Sequence, residues 1–228
     1  MTTHPDSASL LTVISDDTLP PECVVAIFEA IARVVPITVQ LRARGWNGIE
    51  FHRAAERLRE LTRLASCRLV VHDRVDVAIA IRADGVHLPA DGIDPRRVRS
   101  LLDARDRATT TLGLSVHSLD EIRALGREVD TVQFGPVFET ASKRRFGAAQ
   151  GLGMLARAVE AAQALAHVPR VVAVGGIAPR NVESVLDAGA DGIAVIGAVM
   201  GAADPAAAAR ELAAALSRVR ALPRSHDE

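Results

Sequence analysis

One kind of basic residue is almost missing from this chain. Of its 27 lysine and arginine residues only Lys143 is a lysine. Cysteine is scarce too: Cys23 and Cys67 stand alone, without the spacing of a metal or redox pair, so a zinc ribbon or a disulfide framework is excluded. No apolar run is long enough to span a bilayer. The opening "MTTHPDSAS" has neither a basic start nor an apolar stretch behind it, so a cytoplasmic location is expected. A net charge of −1 gives no electrostatic case for nucleic acid or an anionic membrane as partner. There is no H-E-x-x-H, and no paired cysteine or two-carboxylate set that would mark a metal centre.

What is present is a repeated unit. The runs "LLTVIS", "ITVQLR", "RLVVHD", "GVHLP", "TLGLSVH", "TVQFGPV", "RVVAVGG" and "GIAVIG" are apolar and β-branched, as strands buried on both faces should be. Amphipathic stretches such as "ECVVAIFEAIARVV" and "GIEFHRAAERLRELTRLA" lie between them. Ser118 and Glu121 form a capping-box signature just after the fifth run. "SVLDAGADG" stops a helix at glycine, and "DPAAAARELAAALSRVR" starts one at Asp-Pro. Eight such pairs predict a single-domain (β/α)8 TIM barrel over residues 10–221, with 1–9 and 222–228 as frayed ends. An echo supports closure: "ADGVHL" and "ADGIAV" open the fourth and eighth runs, half a barrel apart. The alternative, an open doubly wound sheet, lacks its glycine fingerprint after the first run.

In a barrel, chemistry belongs at the C-terminal strand ends. Gly175 and Gly176 follow the seventh run and Gly197 the eighth. Glycines there let backbone N–H groups approach a phosphate, although tight turns alone would also use them. Among seven histidines, His72, His87 and His117 fall at strand ends, and His117 is the best placed for proton transfer near neutral pH. His72 precedes Asp73, which is alternatively an N-cap for "RVDVAIAIRA". His87 lies one residue before its strand's end, pointing inward or outward. Ser115 should share the face of His117 by strand alternation.

The segments "VQLRAR", "HDRVDVAIAIRADGVHLP", "LGLSVHS", "FGPVFETASK", "GLGML" and "VVAVGGIAPRNVESVLDAGADGIAVIGAV" together resemble the thiamine phosphate synthase and thiazole tautomerase superfamily, along nearly the whole chain. The resemblance implies a barrel, a role in thiamine biosynthesis and a thiazole phosphate as ligand. It implies Gly176, Ile196 and Gly197 as phosphate-binding, and Thr140, Ser142 and Lys143 as ligand contacts. Two activities belong to the superfamily. The synthase joins a pyrimidine diphosphate to the thiazole phosphate with Mg²⁺ and releases pyrophosphate. The tautomerase only moves a proton and needs no cofactor.

Gln40, Arg42 and Asp73 match the synthase pattern, in which Asp73 would hold Mg²⁺. Arg44 replaces a synthase lysine, His72 an asparagine and Gly92 a second metal aspartate, with Asp91 one residue early. "LRAR", "HLPADG", "SVHS" and "VFETASK" are more similar to the tautomerase. The expectation is therefore an isomerase that aromatises a carboxythiazole phosphate, without metal, with His117 as acid/base and Arg42 and Arg44 on the ring carboxylate. The synthase and a non-catalytic thiazole phosphate-binding regulatory barrel are the alternatives. A homodimer is carried as an expectation about assembly. The lone lysine fits a position that needs a compact ammonium, whereas Arg44 stands where a planar fork suffices.

Overall fold

The computed structural model describes residues 10–102, 109–140 and 148–221. Strands and helices alternate. β1 (Leu11–Ile14) leads to α1 (Pro21–Ala32), β2 (Thr38–Leu41) to α2 (Gly48–Leu64), and β3 (Arg68–His72) to α3 (Val75–Ala80). β4 (Gly85–Leu88) leads to α4 (Pro95–Leu101), β5 (Thr111–Val116) to α5 (Leu119–Arg123), and β6 (Thr131–Phe134) to α6 (Gly151–Gln163). β7 (Arg170–Val174) leads through a 3-10 turn (Pro179–Asn181) to α7 (Val182–Asp187), and β8 (Gly192–Val195) to α8 (Gly197–Met200) and α9 (Pro205–Ala221). All eight strands pair in parallel in sequence order, and β1 with β8 closes the barrel. The predicted TIM barrel is therefore the observed fold.

Local chemistry places the helices. Asn47 and Glu50 form a capping box at α2, and Ser118 and Glu121 form the predicted one at α5. Gly189, at φ 93°, ends the turn after α7. The region after β3 differs from expectation. Asp73 is not an N-cap: Arg74 holds that position without a side-chain cap bond, and Asp73 itself sits at φ 66°. The chain doubles back there, with Arg74 N–H donating to His72 O at 2.8 Å. α3 is shorter than the "RVDVAIAIRA" pattern, because Arg82 turns left-handed at φ 51°.

The echo between the fourth and eighth strands has a structural cause. Asp84 and Asp191 sit just before β4 and β8. Their carboxylates accept the N–H of Leu69 and Val171 on the preceding strands, at 2.8 and 2.7 Å. Asp130 does the same for Leu112 at 2.7 Å ahead of β6. Each clamp fixes neighbouring strands in register at the N-terminal face. Arg59 adds a 2.7 Å ion pair to Asp84. Asp84→Ala strands both the Leu69 N–H and a largely buried guanidinium. A loss of about 1.5–3 kcal/mol of stability is expected in urea unfolding.

The main core lies between barrel and helices, on outward strand residues such as Val13, Val39, Leu69 and Ile193. Inside the barrel the two halves differ. Ile14, Val172, Val174 and Ala194 make a small apolar cluster on β1, β7 and β8. From β2 to β6 the interior is polar: Gln40, His72, His87 and Gln133 are buried, and Ser115 bonds His87.

Candidate functional site

The loops after β6, β7 and β8 enclose a pocket of about 170 Å³ at the C-terminal face. Thr140, Gly175, Gly176, Ile196, Gly197 and Ala198 line it. Four residues expected around a ligand phosphate or beside it (Thr140, Gly176, Ile196 and Gly197) are thus brought together by the fold. Ser142 and Lys143 lie outside the described residues.

The turn after β7 is held from two sides. Gly175 O accepts from Phe138 N–H at 3.0 Å, tying it to the β6 loop. Gly176 O accepts from the Asn181 side chain at 3.0 Å, while Asn181 Oδ1 accepts from Ala178 N–H at 2.8 Å. Gly176 sits at φ 65°, and a Cβ there would lie 2.7 Å from Glu139 O. Only glycine fits that conformation and that approach. Asn181 is missed by sequence reasoning, since "APRNV" reads as an ordinary helix start. Removing its bond costs about 0.5–1.5 kcal/mol, so Asn181→Ala should weaken binding of a phosphorylated ligand roughly 2- to 10-fold. Calorimetric titration with thiazole phosphate checks this.

His117 lies one residue past β5, not on its last position. Its Nδ1 faces Gly135 O at 2.7 Å, so that nitrogen carries a proton and donates. Gln150 donates to the same carbonyl at 3.3 Å. Neutral His117 would therefore present Nε2 as an acceptor at the mouth. Ser115 turns to a different partner, with its hydroxyl 3.0 Å from His87 Nε2.

The arginines after β2 diverge. Arg42 pairs with Asp17 at 3.0 Å, and its backbone is held by Ser15 Oγ at 2.7 Å. Arg44 is exposed in the following turn. Gln40 is buried deeper, inside the barrel. Its Oε1 accepts from Gln133 at 2.5 Å, and its amide nitrogen lies 3.5 Å from His72 Nδ1. The His72 ring stacks on His87 with centroids 5.5 Å apart. Gln133 is another residue that sequence reasoning missed, since "TVQF" reads simply as a buried strand. Cys67 is buried, and burial pushes its thiol up, so it stays protonated and unreactive.

Among the described residues no cluster of three or more His, Cys, Asp or Glu side chains forms a ready metal cage. Asp73 and Asp91 are exposed carboxylates on the loops after the adjacent strands β3 and β4. Asp73 N–H donates to His87 O at 2.9 Å, which ties it to the end of β4. Arg74 is locked in a bidentate pair with Asp76 at 2.9 and 2.7 Å; this guanidinium holds the Asp76 carboxyl below the usual carboxylate range. One or two carboxylates plus substrate phosphates suffice for Mg²⁺, so this donor set fits that ion with a diphosphate bound. Gly92 cannot simply be exchanged for the missing aspartate, because a Cβ there would lie 2.9 Å from Pro89 Cδ.

Fold and pocket together define a (β/α)8 barrel with an opening at the C-terminal face of β7 and β8. Residues 11–199 match the family model described as thiamine monophosphate synthase, and the chain belongs to that family. A relative from Laribacter hongkongensis, named thiamine-phosphate synthase, is 41% identical over 76% of this chain and 78% of its own. One of the same name from Moorella thermoacetica is 40% identical over 80% of this chain and 83% of its own. A solved thiamine phosphate pyrophosphorylase from Pyrococcus furiosus superposes with TM-score 0.78 at 34% identity, covering 92% of this chain and 96% of that one.

These likenesses correct the expected reaction. The tautomerase reading rested on Arg44, His72 and Gly92, whereas the relatives at about 40% identity carry the synthase name. A metal bound largely by substrate phosphates tolerates the loss of one protein carboxylate, so Gly92 does not exclude the synthase.

Proposed function

We propose that the chain is a thiamine phosphate synthase, joining a pyrimidine diphosphate to a thiazole phosphate with release of pyrophosphate. The observation that carries this reading is the name shared by relatives at 41% and 40% identity, each of which the chain covers over most of its length. In the reaction a bond forms between the pyrimidine-bearing carbon and the thiazole ring nitrogen. The bond from that carbon to the diphosphate oxygen breaks, and pyrophosphate departs with the electron pair.

The thiazole phosphate is assigned to the pocket of Thr140, Gly176, Ile196 and Gly197, and the family resemblance adds Ser142 and Lys143 as ligand contacts. Backbone N–H groups suit a phosphate because they donate without the desolvation cost of a buried charge. Asp73, with Asp91 on the next loop, is assigned to Mg²⁺. When bound, the ion neutralises charge on the departing diphosphate. Gln40, held by Gln133 and His72, is assigned to orient the pyrimidine from below, and Arg42 to border it from β2. His117 is assigned to the β5 side of the mouth, with Ser115 on the same strand bonded to buried His87. In this reaction His117 has no ring proton to remove, so it acts by holding the Gly135 loop and presenting Nε2 to substrate.

The test is steady-state pyrophosphate release with both substrates and Mg²⁺. Activity abolished by EDTA and restored by Mg²⁺ supports the reading. Release that continues after full chelation sinks the metal assignment.

A further inference from the structure

Barrel interiors of this fold are normally packed with branched side chains. Here a cavity of about 580 Å³ runs inward from the opposite, N-terminal face. Its outer wall is made at the strand starts by Thr38, Arg68, Thr131 and Arg170, and its inner end by His87 and Gln133. The space exists because β2 to β6 place threonine, glycine and polar residues where bulky aliphatics would otherwise fill the axis. Its size matches small-metabolite sites, which span about 300–1,000 Å³.

The charge on the wall is unbalanced. Asp130 is the carboxylate there, and it is already bonded to Arg99 and to Leu112 N–H. Among the described residues, Arg68 bonds neutral acceptors, Asp84 O at 3.2 Å and Thr111 Oγ1 at 3.4 Å. Among the described residues, the Arg170 guanidinium makes no hydrogen bond or ion pair. Arg68 opens β3 and Arg170 opens β7, four strands apart in an eight-stranded barrel. Two guanidinium groups therefore face the axis from opposite sides, and Asp130, the carboxylate on the wall among the described residues, is already paired with Arg99. Guanidinium forks of this kind recognise phosphate and carboxylate oxygens.

We propose that this axial cavity is a second ligand site, taking a small anion whose phosphate or carboxylate lies between Arg68 and Arg170. The hydroxyls of Thr38 and Thr131 and the side chains of His87 and Gln133 receive the rest of the molecule. The site opens on the opposite face from the pocket of Gly176 and Gly197, and its inner end also includes Gln40, the residue assigned to the pyrimidine. Its inner end does touch the polar network below that face: His87 bonds Ser115 and stacks on His72, and Gln133 bonds Gln40.

The test uses the full chain carrying Gly197→Asp, which sets a carboxylate in the other phosphate pocket. Calorimetric titrations are run with inorganic phosphate and, separately, with citrate, and they distinguish the two anion types. One-site binding of either probe is expected. Arg170→Leu should weaken it about tenfold or more, the loss of a charge-assisted pair, and Arg170→Lys should recover part of that loss. Arg170 makes no described side-chain bond, so Arg170→Leu should keep the circular dichroism and melting temperature of its parent. Should it unfold, Arg68→Gln provides the same readout. No binding of either probe, or binding indifferent to both arginines, overturns the proposal.

Discussion

Gly197→Asp should raise the KM for thiazole phosphate by about 10²-fold or more, because like charges set side by side cost several kcal/mol and each 1.4 kcal/mol is tenfold. The fold should survive the change. A Cβ at Gly197 meets nothing within 4 Å, so the new side chain has room. Its carboxylate would occupy the pocket that Gly176, Ile196 and Thr140 share with it. Gly197→Ala, which adds bulk without charge, should stay within a few-fold of the parent. Gly176 offers no such clean test: its φ of 65° and the 2.7 Å approach to Glu139 O mean that any side chain strains the turn itself. An unchanged KM in Gly197→Asp, with the melting temperature preserved, would remove the phosphate from this pocket.

Asp73→Asn should lower kcat by about 10²-fold or more and move the Mg²⁺ dependence to higher concentration, since a bound metal's charge stabilisation is worth several kcal/mol. Asparagine is the right replacement. It tolerates the left-handed conformation that Asp73 adopts at φ 66°, keeps the N–H that donates to His87 O, and removes only the charge. The readout is pyrophosphate release against Mg²⁺ concentration. An unaltered rate and midpoint would show that Asp73 is not a ligand. Adding a second carboxylate at position 92 is not the converse experiment, because Pro89 blocks a Cβ there. Gly92→Asp needs Pro89→Gly beside it.

Much of the architecture was legible because buried parallel strands read as apolar runs, and all eight appear where those runs lie. The strands end one to three residues earlier than the runs. The apolar character continues into the loops, as with Ile177 and Val137, which remain buried beyond the last ladder pair. The "ADG" echo proved to be a pair of aspartate clamps, Asp84 and Asp191, each holding the strand beside its own. In the pocket, Gly176 and Gly197 were legible from their place just after strands, while Thr140 and Ile196 entered through the family resemblance.

The polar interior was not. Gln40 and Gln133 are 93 residues apart and meet only because β2 and β6 face the same axis. Arg42, expected on a ligand carboxylate, is neutralised by Asp17, which no local spacing foretells. The reaction was misread for a different reason. Arg44, His72 and Gly92 are conspicuous departures, but each is a single position. The relatives named synthase resemble this chain over three quarters of its length or more.

The central claim is most directly tested by product analysis in a single mixture of the pyrimidine diphosphate, the thiazole phosphate, Mg²⁺ and the protein. The account predicts thiamine phosphate and pyrophosphate formed one for one, with neither appearing when either substrate is omitted. Thiazole phosphate recovered unchanged, from protein that binds it in the same solution, would contradict the account.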